Sequence, residues 1–309
     1  MIGRSLLALV CILVASLGGA SAAELQKINV GYVPVADFAP LFVAKDKGFF
    51  EKKGLDVTLT KILLASNVPG ALVAGSLDIG MGTPPMLLVT GESGLDFQAI
   101  AAVSRLEKDN PFISVIARKQ DNITDVAQLK HKKVGVPGFN SSMDITFRKW
   151  MMDRHIPYGN GPGQVHLVEA IFPQMHDLLA GGQLDAALVI EPFRTLILKD
   201  GTGNNLRDYF SDLSPDALAA IWMAKADWIK AHPDIVAGFR AGIEEGIADL
   251  HANPPEFQSI QMKYLGFASP AKPDWSMKVT PEDLAFFAGI STQVGLIHQQ
   301  PQIDKLIAP

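Results

Sequence analysis

The 309-residue sequence contains a single cysteine, Cys11. No disulfide, thiolate metal site or cysteine nucleophile is therefore available to the rest of the chain. Its seven histidines (His131, His155, His166, His176, His232, His251 and His298) include no pair four residues apart. The H-E-x-x-H zinc signature is absent, as are a G-x-S-x-G elbow and a phosphate-binding P-loop. Basic residues are outnumbered, 27 Lys and Arg against 32 Asp and Glu, for a net charge of −5. That balance argues against non-specific nucleic-acid binding and leaves room for a local anion site. No apolar run reaches the roughly 20 residues that cross a bilayer.

What is present begins with Arg4 and "LLALVCILVASL" (Leu6 to Leu17), an apolar run of 12 residues. "GGASAA" follows, with Ala20-Ser21-Ala22 as the best small-residue cleavage match. Residues 1–23 thus read as a secretory signal peptide. Cys11 would leave with it, and loss of Arg4 makes the net charge −6 (26 − 32). The remainder, in a chain 48% hydrophobic and 19% charged, is long enough for two domains.

Periodicity predicts α/β structure. "KINVGYVP" reads as a strand, residues 37–54 as a helix with Pro40 near its start, "LDVTLTKI" as a strand and "NVPGALVAG" as a helix. "LDIGMG" and "FQAIAAV" follow as strands. "FISVIARK" leads out to a second series: helix, "KKVGV", helix, "QVHLVEA", helix, "LDAALVI". "AAIWMAKADW" returns the chain, and helical patterns dominate from Pro233 on. A phrase also recurs. "AGSLDIGMGTPP" and "GGQLDAALVIEP" align at a shift of 107, matching Gly75, Leu77, Asp78 and Pro85 to Gly182, Leu184, Asp185 and Pro192. Two lobes of like topology, with strand ends facing one cleft, would make the phrase mark matching walls of one site.

Taken in order, "INVGYVPVADFAPLFVAKDKGFFEKKGLDVTLTK", "AGSLDIGMGTPP", "ITDVAQLKHKKVGVPGFNSS" and "AGGQLDAALVIEPF" resemble periplasmic substrate-binding proteins of ABC importers. The group is that of the sulfonate, taurine and nitrate binders and their thiamine-pyrimidine-precursor relatives. The resemblance implies a two-lobed type II periplasmic binding protein fold. Each lobe is expected to be a mainly parallel sheet flanked by helices, with the ligand cleft between. The expected division is signal peptide 1–23, first lobe 24–113 plus 219–309, second lobe 114–218. It further implies a periplasmic monomer that hands a small molecule to a membrane permease, with no cofactor and no bound metal.

Helix starts carry free N–H groups and a positive dipole end, so candidate ligand contacts lie there. "GFNSSMD" offers Asn140, Ser141 and Ser142, where the resemblance implies contact with the ligand's acidic group; Ser and Asn are equally preferred helix caps. In the first lobe, Asp37 is a cap or a hydrogen-bond acceptor, and Phe38 lines the cleft or enters the core. Ser66, Asn67, Gly82 and Thr83 are further candidates. Arg105 is the candidate for pairing a sulfonate or carboxylate. In the second lobe Gln174, Glu191 and Phe193 complete the set, with Trp222 as a further apolar wall. The expected ligand is a small organic anion such as a sulfonate, a taurine-like compound or a carboxylate. The acidic candidates Asp37, Asp144 and Glu191 favour a ligand that also bears donors, such as an amino-sulfonate or a thiamine pyrimidine precursor. A ligand-reporting partner of a membrane sensor would use the same lobes. The resembling group includes a sulfinate desulfinase with a cysteine nucleophile and a pyrimidine synthase with a cysteine-rich iron motif, and neither chemistry carries over to a chain without cysteine beyond Cys11.

Overall fold

The computed structural model describes residues 24–106, 110, 112–214 and 216–309. The expected signal peptide and Cys11 lie outside them. The first half runs β1 (Gln26–Tyr32), α1 (Ala39–Asp46), β2 (Leu55–Lys61), α2 (Val68–Val73), β3 (Ile79–Gly82), α3 (Pro84–Glu92) and β4 (Phe97–Arg105). There follow β5 (Ile113–Arg118), β6 (Lys133–Val136), α4 (Ser142–Asp153), β7 (His166–Glu169), α5 (Phe172–Ala180), β8 (Ala186–Ile190), α6 (Phe193–Lys199), β9 (Gly203–Arg207) and α7 (Tyr209–Leu213). The chain ends with β10 (Leu218–Lys225), α8 (Ala226–Ala231), α9 (Pro233–Ala252), α10 (Glu256–Leu265), β11 (Asp274–Trp275) and α11 (Pro281–Gln293). No helix among the described residues is long and apolar enough to cross a membrane.

Two sheets form, ordered β11-β4-β10-β3-β1-β2 and β7-β6-β8-β5-β9. They are mixed rather than mainly parallel. β1 pairs parallel with β2 and β3, and β6 with β7 and β8, through helical crossovers. β5 and β10 each follow a strand of the opposite sheet, β5 after β4 and β10 after β9 and the short helix α7. Both pair antiparallel in the sheet they enter, β5 beside β8 and β9, β10 beside β3 and β4. β9, "GNNLR", has no strand propensity and is held as an edge by β5.

The recurring phrase has a local explanation. Gly75 (φ +71°) and Gly182 (φ +72°) end α2 and α5 in the left-handed region that glycine tolerates. Asp78 and Asp185 then clamp the neighbouring strand. Each accepts a main-chain N–H with its carboxylate, from Asn29 and from Lys133, both at 2.8 Å. Each also donates its own N–H to the same residue's carbonyl at 2.9 Å. Leu77 and Leu184 fill the space where a Cβ on Gly31 or Gly135 would stand, 2.4 and 2.6 Å from their Cδ1 atoms. Asp78 and Asp185 stand just before β3 and β8, at the ends remote from the cleft. This corrects the expectation that the whole phrase walls a site: only its far end does so.

Aromatic residues centre the first lobe. Trp222 packs edge-on against Phe38 and Phe239, with ring centres 5.1 and 5.2 Å away. It is core, not cleft wall, and 1% exposed. It packs β10 against the turn that precedes α1 and against α9.

Candidate functional site

The first lobe presents the residues that follow its strands. Val33 and Val35 continue beyond β1, and the single turn Ala36–Phe38 leads into α1, whose first turn holds Pro40. The second lobe presents the turn from β6 to α4, Pro137 to Ser141. The two sets enclose about 510 Å³ of space, its open mouth included. Val33, Val35, Phe38, Ala65, Met81, Ile113, Pro137, Met143, Phe172, Ile190, Ala219 and Ala220 supply apolar walls. The polar side chains are those of Asp37, Thr83, Ser141 and Ser142. No Lys, Arg or His is among the described residues that line this space.

Asp37 is 2% exposed. Its Oδ1 accepts the Ser104 hydroxyl, and its main-chain carbonyl accepts Trp275 Nε1–H at 3.0 Å. Its Oδ2 has no partner. Burial pushes its pKa from 3.8 up to about 6, against the opposing pull of the Ser104 hydrogen bond. Ser142, 1% exposed, also has an unpartnered oxygen, Oγ. Buried polar atoms are nearly always paired, so two orphans lining one cavity make Asp37 and Ser142 the candidate polar contacts of this site.

The Ser-rich turn is partly engaged already. Ser141 caps α4 by accepting Asp144 N–H at 3.3 Å, and it lines the cavity as well. Asn140, at φ +65°, donates its N–H to Asp144 Oδ2 at 2.8 Å and does not line the cavity. Phe139 N–H goes to Glu169 Oε1 at 2.9 Å. Two carboxylates thus occupy main-chain donors that an anion at this turn would otherwise use. Ser142 and Met143 open the helix, where N–H groups lack intrahelical partners.

Other sequence candidates fall in different places. Thr83 lines the cavity and caps α3, accepting Met86 N–H at 3.4 Å. Gly82 is bare because of Met223, whose sulfur lies 2.6 Å from an added Cβ. Ser66 and Asn67 are exposed, as is Gln174 in the first turn of α5, and none of the three lines the cavity. Glu191 is fully buried, accepting Thr195 N–H at 3.1 Å and Arg194 Nη1 at 3.5 Å. Its carbonyl takes Ala36 N–H of the other lobe at 3.1 Å. Phe193 stacks behind Phe172, ring centres 5.6 Å apart, and supports the wall rather than forming it.

Arg105 also does not line the cavity. It donates to Asp283 Oδ2 at 2.5 Å, the Asp216 carbonyl at 3.0 Å and the Lys278 carbonyl at 3.5 Å. Arg105→Ala is therefore expected to cost about 2 kcal/mol of stability, the scale of a charge-assisted hydrogen bond. Ligand affinity of the folded variant should be unchanged; denaturant unfolding and calorimetry on one preparation check both.

Most walls carry no chemical signal in the sequence, because an apolar side chain reads alike in core and cavity. One pair was findable. Thr83 and Ile190 both line the cavity and are the same position of the recurring phrase, 107 residues apart.

The profile of the family described as NMT1/THI5 like matches residues 35–257. The "4-amino-5-hydroxymethyl-2-methylpyrimidine phosphate synthase" of Uromyces fabae is 25% identical over 227 residues, 70% of this chain and 63% of that protein. The "Bicarbonate-binding protein CmpA" of Synechococcus sp. is 25% identical over 268 residues, 78% of this chain and 58% of its own length. The chain thus spans less than two thirds of these relatives. The crystal structure of the periplasmic nitrate-binding protein NrtA from Synechocystis PCC 6803 shares the fold, with TM-score 0.77 at 19% identity over 92% of this chain and 86% of NrtA. Two lobes of mixed sheet closing on a cavity, and a match that takes in most of the chain, lead to one conclusion: this protein belongs to the NMT1/THI5 like family.

Proposed function

We propose that the chain is the exported solute-binding component of an ABC importer, closing its lobes on a small ligand and delivering it to a permease. Our reading of the ligand is a bipolar compound. It bears an N–H donor that meets Asp37 Oδ2, an acceptor that meets Ser142 Oγ, and a flat apolar body between Phe38, Met81, Met143 and Phe172. The observation that carries this is the pair of orphaned polar atoms in a cavity with no cation among its described lining residues. An aminated ring of the pyrimidine kind fits that description first. An amino-sulfonate is the second reading, because its amine would serve Asp37 while its acid group met the start of α4. A plain sulfonate, nitrate or carboxylate would face an unpaired buried carboxylate, which disfavours it.

Binding without turnover is part of the proposal. One relative bears a synthase name, but the one cysteine here lies in the expected leader. Among the described residues no cluster of three His, Cys, Asp or Glu is arranged to hold a metal ion.

A thermal-shift screen of refolded protein against aminopyrimidines, taurine, alkanesulfonates, nitrate and bicarbonate tests the reading. A ligand that binds only the native state raises the melting temperature. The expected result is a shift with aminopyrimidines; a shift with alkanesulfonates or nitrate alone would sink it. Ser142→Ala should then weaken the ligand about tenfold, about 1.4 kcal/mol, with the melting temperature of the free protein unchanged.

A further inference from the structure

The two sheets are joined at one side only. The chain crosses from β4 to β5 and returns from β9 to β10. In the first sheet β4 and β10 are adjacent, and in the second β5 and β9 are adjacent. β2 is the outer strand at the opposite end of the first sheet, and β7 holds the same position in the second. β3 and β1 stand between β10 and β2, which puts the outer edge about 14 Å from the joining strands at about 4.8 Å per strand. A rotation about the joining strands moves those outer edges furthest apart.

Among the described residues, one side-chain hydrogen bond links the outer edges. Ser66, in the turn that follows β2, donates its hydroxyl to Glu169 Oε1 at 2.9 Å. Glu169 is the last residue of β7. The same oxygen accepts Phe139 N–H at 2.9 Å, which ties the carboxylate to the β6–α4 turn of its own lobe. That turn is braced. Asp144 holds Asn140 N–H at 2.8 Å, and the Arg148 guanidinium lies 5.7 Å over the Phe139 ring. The approach of the lobes here is close. A Cβ on Gly138 would stand 3.4 Å from Ala65 Cβ and 3.5 Å from Ser66 N. Ala65 is itself a cavity wall.

We propose that Glu169 is a closure latch. Held to the second lobe by Phe139 N–H, its carboxylate takes the Ser66 hydroxyl of the first lobe and keeps the cavity mouth shut. It is a positioning residue: it touches no ligand, and it sets how much of the population is closed and how slowly a captured solute escapes. At the far end of the lever a single hydrogen bond has the largest displacement to oppose. The latch acts whatever the ligand is, so its test uses no ligand and stands or falls separately from the ligand reading.

Beyond Cys11 the chain has no cysteine, so introduced thiols are the only labelling sites in a protein lacking the leader. Spin labels on Lys61→Cys and Lys130→Cys, both exposed and on opposite lobes, report the interlobe distance by double electron–electron resonance. The parent should show a predominantly short distance. Ser66→Ala and Glu169→Ala should each raise the long-distance population about fivefold, the effect of one hydrogen bond. Glu169→Gln, which keeps an acceptor oxygen, should fall between. If Glu169→Ala fails to fold, Ser66→Ala carries the test, since it removes only an exposed hydroxyl. Unchanged distances in the variants, or a parent already at the long distance, overturn the proposal.

Discussion

Asp37→Asn is expected to weaken the ligand about a hundredfold while making the free protein more stable at neutral pH. The loss follows from removing a charge-assisted hydrogen bond, worth up to about 3 kcal/mol. The gain follows from proton linkage. Between pH 3.8 and about 6 the folded chain holds a proton on Asp37 that the unfolded chain has released. Stability therefore falls as pH rises through that window, and the loss is complete above it. The rise in pKa from 3.8 to about 6 corresponds to about 3 kcal/mol. The Asn variant has no such proton, so unfolding curves of the two proteins should diverge from about pH 4 to about pH 7 and run parallel beyond. A difference that stays constant over that range would refute the assignment. Affinity carries the same signature. A ligand of fixed charge that donates to the ionised carboxylate should bind about tenfold more weakly per pH unit below about 6. An anionic ligand would show the reverse, weakening as Asp37 ionises. Calorimetric titration across pH separates the two.

Gly246→Ala is expected to be the most damaging single-methyl substitution in the first lobe. Gly246 lies in α9 where it crosses α1, and an added Cβ would stand 2.3 Å from the Pro40 carbonyl oxygen and 3.0 Å from its carbon. Both clashing groups are main chain, so no rotamer change relieves them and α1 must move. The cost is placed at the upper end of overpacking, about 3 kcal/mol. Pro40 follows Asp37 by three residues, so affinity should fall with stability. Gly289→Ala is the control. It lies in α11 with nothing within 4 Å of an added Cβ. There the lower entropy of the unfolded chain should stabilise by about 0.5–1 kcal/mol. Equal effects at both positions would show that close approach of α9 to α1 is not what Gly246 provides.

The candidate residues separate by how far their roles reach along the chain. Ser141 could be read as a cap because a cap is a contact three residues long. Asp37 and Ser142 could be read as candidates, since each stands at a helix entrance beyond a strand. Arg105 was open to misreading: its charge suggested a ligand, and its partner Asp283 lies 178 residues away. Glu169 gave no signal at all, being one carboxylate at the end of a weak edge strand.

Most strands and helices, the doubled α/β unit and the glycine–leucine–aspartate repeat were legible in the residues alone, while α3, α6, β9 and α7 were not. Each legible feature rests on contacts within about 50 positions: backbone propensity, a left-handed glycine, a leucine seated on a glycine, an aspartate clamping the next strand. The character of the cavity was decided only by tertiary structure. It depends on Ser104 reaching Asp37 across 67 residues and on Trp275 holding it across 238. It depends also on a dozen apolar residues whose chemistry is the same whether they face a core or a ligand. Long-range packing alone chose which carboxylate would be left with an open oxygen, and which cation would be turned away from it.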